Sequence, residues 1–122
     1  MLKLHLMILA KWEVLVMLKL RQLPDERRAQ ILQAALVVAT QPGGWSSLTR
    51  ENVAEQAGCA ESLISRYFGT MTAFKRQIMR SAISTENLSI IAQGLACYDL
   101  HANKAPKGLK ARAFAKLAKD AT

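Results

Sequence analysis

Breakers at Pro42-Gly43-Gly44, Gly58 and Gly69 divide the middle of this chain into segments too short to stand alone. Between Thr49 and Gly69 they leave two helical stretches, Arg50 to Ala57 and Glu61 to Phe68. Helices this short are marginal in water unless a tertiary partner buries one face. The two are therefore expected to fold only as a pair, against a longer element.

That element precedes them. Pro24, Asp25 and Glu26 suit a first helical turn, where a missing N–H costs little and negative charge meets the helix dipole. Ile31, Leu32, Ala35, Leu36, Val38 and Ala39 then keep a 3.6-residue period, which predicts a helix over about residues 25–40. Thr49 offers an N-cap oxygen to the next helix, and Gly58 suits the left-handed position that closes it. Thr70 caps a fourth helix running through Phe74, Ile78 and Met79 towards Ile83. Leu88, Ile91, Ala92 and Leu95 are spaced for another that ends before Asn103 and Pro106, and Lys107 to Lys119 forms an amphipathic basic tail. No strand pattern competes. The expectation is an all-α chain: a three-helix helix-turn-helix domain, a fourth helix, and one or two short C-terminal helices. The boundaries read as an apolar and basic extension over residues 1–22, a helix-turn-helix domain over 23–83, and a short helical segment over 84–122.

Within the short pair, Ala54 supplies the small residue needed where two helices cross, Gly58 the turn, and Ile64 the branched anchor of the second helix. Val53 and Ala57 add packing, and Phe68 follows Ile64 by one turn. This is the spacing of the helix-turn-helix unit, in which the second helix enters the major groove of DNA.

Composition agrees. The 122 residues carry 17 Lys and Arg against 9 Asp and Glu, a net +8, with a pI of about 9.9, a balance that suits a polyanionic partner. Residues 59–83 alone carry net +3, from Arg66, Lys75, Arg76 and Arg80 against Glu61. Residues 1–20 are apolar, but Lys3, Lys11, Glu13 and Lys19 interrupt them, so no stable membrane insertion is expected, and the signal-peptide pattern fits poorly. The tetrapeptide Met-Leu-Lys-Leu begins at Met1 and again at Met17, so Met17 is an alternative start; otherwise residues 1–16 add an apolar helix. Cys59 and Cys97 have no metal-ligand or disulfide spacing and read as reduced thiols of a cytoplasmic protein. His5 and His101 are isolated. No catalytic residue, metal or cofactor is expected.

Residues 28–83 resemble the N-terminal DNA-binding domain of the TetR/AcrR repressor family. The resemblance rests on Ile31-Leu32-x-Ala34-Ala35, the break at Gly44-Trp45, Leu48-Thr49, Val53-Ala54-x-x-Ala57-Gly58, and Tyr67-Phe68-Gly69, and it covers a little under half of the chain. It implies a sequence-specific transcriptional repressor that binds double-stranded DNA as a homodimer. It also implies phosphate contacts from Thr49 and Tyr67. Ala60 stands where the family often has a Ser cap, Glu61 where a cation is frequent, and Met71 where a phosphate-binding Lys is common, so Lys75 and Arg76 are expected to compensate one turn later.

With Ile64 and Phe68 inward on a helical wheel, Ser62, Leu63, Ser65, Arg66 and Tyr67 form the outer face. Arg66 suits guanine, Leu63 a thymine methyl, and Glu61 cytosine or the helix dipole. Arg50, Thr70 and Lys75 complete the expected contact set. Trp45 is expected to act as a structural lid on the first helix. Leu88, Ile91, Leu95 and Tyr98 recur at three- and four-residue intervals and are expected either to pair across a two-fold axis or to pack on the first and fourth helices of their own chain. Only 39 residues follow Ile83, too few to enclose a pocket, so no small-molecule effector is expected. Two other readings stand beside DNA binding: a truncated regulator acting as a protein-interaction module, and a peripheral membrane protein anchored by residues 1–20.

Overall fold

Pro24 opens α1 (Pro24–Thr40), with Asp25 and Glu26 in its first turn, and one face buries Ile31, Ala34, Ala35 and Ala39. The computed structural model describes residues 24–120, and the expectations for residues 1–22 lie outside that range. Among the described residues the chain is all-α, in the order α1, α2 (Arg50–Ala57), α3 (Glu61–Phe68), α4 (Met71–Ser84), α5 (Leu88–Ala96), α6 (Leu100–Asn103) and α7 (Lys107–Asp120).

The boundaries of α2 to α4 follow from local chemistry. Thr49 Oγ1 accepts the Asn52 N–H at 3.1 Å while Asn52 Oδ1 accepts the Thr49 N–H at 2.9 Å, a reciprocal capping box. Gly58 ends α2 in the left-handed region. Ala60 gives α3 no side-chain cap. Gly69 ends α3 at φ 75°, ψ −127°, a conformation open essentially to glycine, so the chain can turn sharply into α4. Thr70 Oγ1 then caps α4 by accepting the Ala73 N–H at 3.1 Å.

One core joins these elements. Val53, Ile64, Phe74, Ile78, Met79, Ile90 and Ile91 are fully buried within it, and the Phe68 and Phe74 rings stack tilted with centroids 4.6 Å apart. α1 packs on α2, α4 and α5, while α5 is surrounded by α7, α4, α6 and α1. That enclosure explains why α5 buries Ile90, Ile91, Ala92 and Gly94 rather than a narrow stripe. A Cβ on Gly94 would collide with Met79 Cε and Ala102 Cβ, so glycine is what lets α5 approach α4 and α6 so closely.

The C-terminal segment departs from expectation. α5 stops at Ala96, and Tyr98 follows at φ 59°. The Asp99 N–H returns to Gly94 O at 2.8 Å, and the Asp99 carboxylate accepts the Ala102 N–H at 2.9 Å, capping the one-turn α6. Of the stripe expected to pair or pack, Ile91 is fully buried and Leu88 and Leu95 are half-buried against their own core. Tyr98 lies outside the helix, 91% exposed.

Side chains of α5 also complete the end of α1. Gln93 Nε2 donates to Ala39 O at 2.7 Å and to Gln41 O at 3.1 Å, and Ser89 Oγ donates to Thr40 O at 2.7 Å. Gln93 Oε1 accepts the Trp45 N–H at 2.8 Å, and Asn87 Nδ2 reaches Thr40 Oγ1 at 3.0 Å. The last carbonyls of a helix have no intrahelical partner, and here a distant helix supplies one. Trp45 itself is buried.

Candidate nucleic-acid interface

The α2–α3 pair is anchored from beneath. Val53 and Ala54 of α2 and Ile64 and Phe68 of α3 are buried, with Ala57 half-buried beside them. α3 is thereby wedged between α2 and α4. Its outer surface carries Glu61, Ser62, Ser65 and Arg66, all exposed, and none of these side chains has a hydrogen bond or ion pair among the described residues.

Leu63 and Tyr67 depart from the wheel assignment: both are half-buried against the core. A wheel divides a helix into an inner and an outer half. A helix held on both flanks buries the positions beside its anchor line as well, which leaves a narrower outer face of Glu61, Ser62, Ser65 and Arg66.

The remaining expected residues surround the two ends of the unit. Thr49 and Thr70 cap α2 and α4, each accepting one backbone N–H. A hydroxyl used this way keeps its own hydrogen to donate. Arg50, half-buried in the first turn of α2, donates from Nη2 to Gly69 O at 3.3 Å, so it ties the start of α2 to the corner between α3 and α4. Its Nε is buried with no hydrogen-bond partner. Lys75 faces another way: its ammonium lies 4.8 Å from the centroid of the Trp45 ring.

Arg28 was not singled out by the sequence. Its guanidinium sits 4.9 Å from the centroid of Phe68, placing an α1 cation beside the last turn of α3. Arg28, Arg50 and Arg66 thus gather around residues 66–69 from three different helices. No local pattern announces Arg28, because its partner lies 40 residues further along the chain.

No protein-family model, curated protein or solved structure matches the chain. No helix among the described residues is long and apolar enough to cross a membrane.

Proposed function

We propose that this protein binds double-stranded DNA by placing α3 in the major groove, acting as a transcriptional regulator of the TetR/AcrR type, most simply a repressor. The observation that carries this reading is the outer face of α3. A two-turn helix is fixed by Ile64 and Phe68, yet it presents Glu61, Ser62, Ser65 and Arg66 without a partner among the described residues. Polar groups held rigidly and left unpaired suit direct readout of base edges. Arg66 brings a two-donor fork matching guanine O6 and N7, and the serines accept or donate as the base requires. Thr49 and Thr70 at the flanking helix starts, with Arg50 and Tyr67 beside them, fit phosphate contacts, which fix register without specifying sequence.

One such helix reads few base pairs, so the proposal includes two copies on an inverted repeat with half-sites about 34–36 Å apart. The experiment is selection from a random duplex pool, followed by anisotropy titration of the selected site over a range of salt. A recovered palindrome, with log K falling linearly in log salt, is the expected result, because Lys and Arg release condensed counterions. Failure to enrich any sequence, together with no duplex binding at low salt, overturns it.

A further inference from the structure

Between the loop after α1, the first turns of α4 and the α5–α6 turn lies a cleft of about 440 Å³, lined by Trp45, Lys75, Arg76, Tyr98, Asp99 and His101 among others. We propose that this cleft binds a small aromatic anion, a planar ring carrying a phosphate or carboxylate group.

The first ground is uncompensated positive charge. Lys75 rests on the face of Trp45, and Arg76 donates from Nε to His101 Nε2 at 3.1 Å. Neither cation is positioned by a carboxylate: Lys75 meets an aromatic face and Arg76 a ring nitrogen. Asp99 is the carboxylate in the lining, and it is engaged in capping the Ala102 N–H. Neither Lys75 nor Arg76 has an ion pair among the described residues. The terminal guanidinium nitrogens of Arg76 remain available as a fork for an oxyanion.

The second ground is Tyr98. It occupies the left-handed position after α5 at φ 59°, a slot that favours glycine, and its ring is 91% exposed. Backbone strain at a non-glycine residue concentrates at ligand clamps and similar sites. A ring held there is barely covered by the described residues and is free to cover a planar ligand. The cleft takes one wall from the α1–α2 loop and another from α4, so it is not built from the residues after Ile83 alone.

The test uses the full chain carrying Trp12→Phe, so that Trp45 alone reports by fluorescence, titrated with phenyl phosphate in the absence of DNA. Inorganic phosphate and phenol serve as the two halves of the probe. Phenyl phosphate should perturb Trp45 saturably and bind about tenfold or more tightly than either half, the scale of one charge-assisted hydrogen bond. Arg76→Gln should weaken it by about the same factor. Tyr98→Gly should weaken it while raising the melting temperature, whereas Glu86→Gly, which relieves similar backbone strain at the end of α4, should leave binding unchanged. Absence of a saturable response, or affinity unaffected by both Arg76→Gln and Tyr98→Gly, overturns the proposal. Displacement of phenyl phosphate by an excess of a short non-specific duplex would also overturn it, assigning the cations to backbone phosphate instead. Because the titration contains no regulatory DNA site, its failure is separate from failure of the DNA-binding reading.

Discussion

The outer row of α3 and the polar row of α5 look alike as sequence and do opposite things in the fold. Ser62, Ser65 and Arg66 of α3 face outward with no partner among the described residues, whereas Ser89 and Gln93 of α5 turn inward and complete the last carbonyls of α1. The difference is what lies opposite. α1 ends in carbonyls that need donors, and α5 passes directly beside them. The outer face of α3 meets no such groups among the described residues, so its polar side chains stay unpaired there. A row of Ser, Gln and Arg is thus a seam or an interface according to whether backbone groups elsewhere in the fold are left without partners.

The strongest attempt to break this contrast is to cut the chain after Ser84. If α5 is part of the core rather than an appendage, the fragment loses Ile90 and Ile91 and strands the carbonyls of Ala39, Thr40 and Gln41. The loss should exceed the whole stability of a small domain, about 5–15 kcal/mol, and thermal unfolding by circular dichroism should no longer be cooperative. A sharp transition retained by the fragment would make the two regions separate units.

Gln93→Leu probes the seam at one residue. It removes the donor to Ala39 O and Gln41 O and the acceptor for the Trp45 N–H while keeping similar volume. Each buried group left without a partner costs about 1–3 kcal/mol, and partial exposure lowers the sum to about 2–3 kcal/mol in urea unfolding. Ser65→Ala on α3 should stay within about 0.5 kcal/mol of the parent, the usual range for a surface change. Equal effects from the two substitutions would dissolve the distinction between the rows.

The same physics decides what was legible from the sequence. α2, α3 and α4 start and stop where Thr49, Gly58, Gly69 and Thr70 indicate, because each boundary is set by a cap within a few residues of it. The end of α5 was hidden because Tyr98 stands where glycine is the usual signal. The narrowing of the α3 face at Leu63 and Tyr67, the Arg28–Phe68 contact and the Gln93 seam all depend on helices far apart in sequence. Periodicity indicates that a face is apolar. It does not indicate how many neighbours press on it.

On the outward row the expected effects concern recognition rather than stability. Arg66→Ala should cost about 1–3 kcal/mol of discrimination at one base pair of the selected site while leaving affinity for unrelated duplexes nearly unchanged. Arg66→Lys should not restore it, since a lysine has no planar fork. Thr49→Ala should instead weaken every duplex alike and lower stability by about 1 kcal/mol through loss of the cap. Competition titrations with single-base variants of the site separate these classes, and an unchanged sequence preference in Arg66→Ala would remove that residue from readout.

The smallest expected effects lie where three helices end in the same hydrogen-bond pattern. α2 closes through Cys59 N–H to Ala54 O and Gly58 N–H to Glu55 O. α4 closes through Asn87 to Ala82 and Glu86 to Ile83, and α5 through Asp99 to Gly94 and Tyr98 to Leu95. The left-handed residue is Gly58 in the first, Glu86 at φ 56° in the second and Tyr98 at φ 59° in the third. A non-glycine residue pays about 1–2 kcal/mol in that region, and glycine returns about 0.5–1 kcal/mol of this through its freer unfolded chain. Glu86→Gly also gives up an ion pair to Arg112 at 3.6 Å whose two side chains are 62% and 56% exposed, a contact contributing little. Its net gain should be about 0.5 kcal/mol, or roughly 2–4 °C in melting temperature. Tyr98→Gly loses no such contact and should gain about 1 kcal/mol. If Tyr98→Gly instead destabilised the protein, its ring would be packing in solution, and the most exposed aromatic group among the described residues would belong with Ser89 and Gln93 on the inward side.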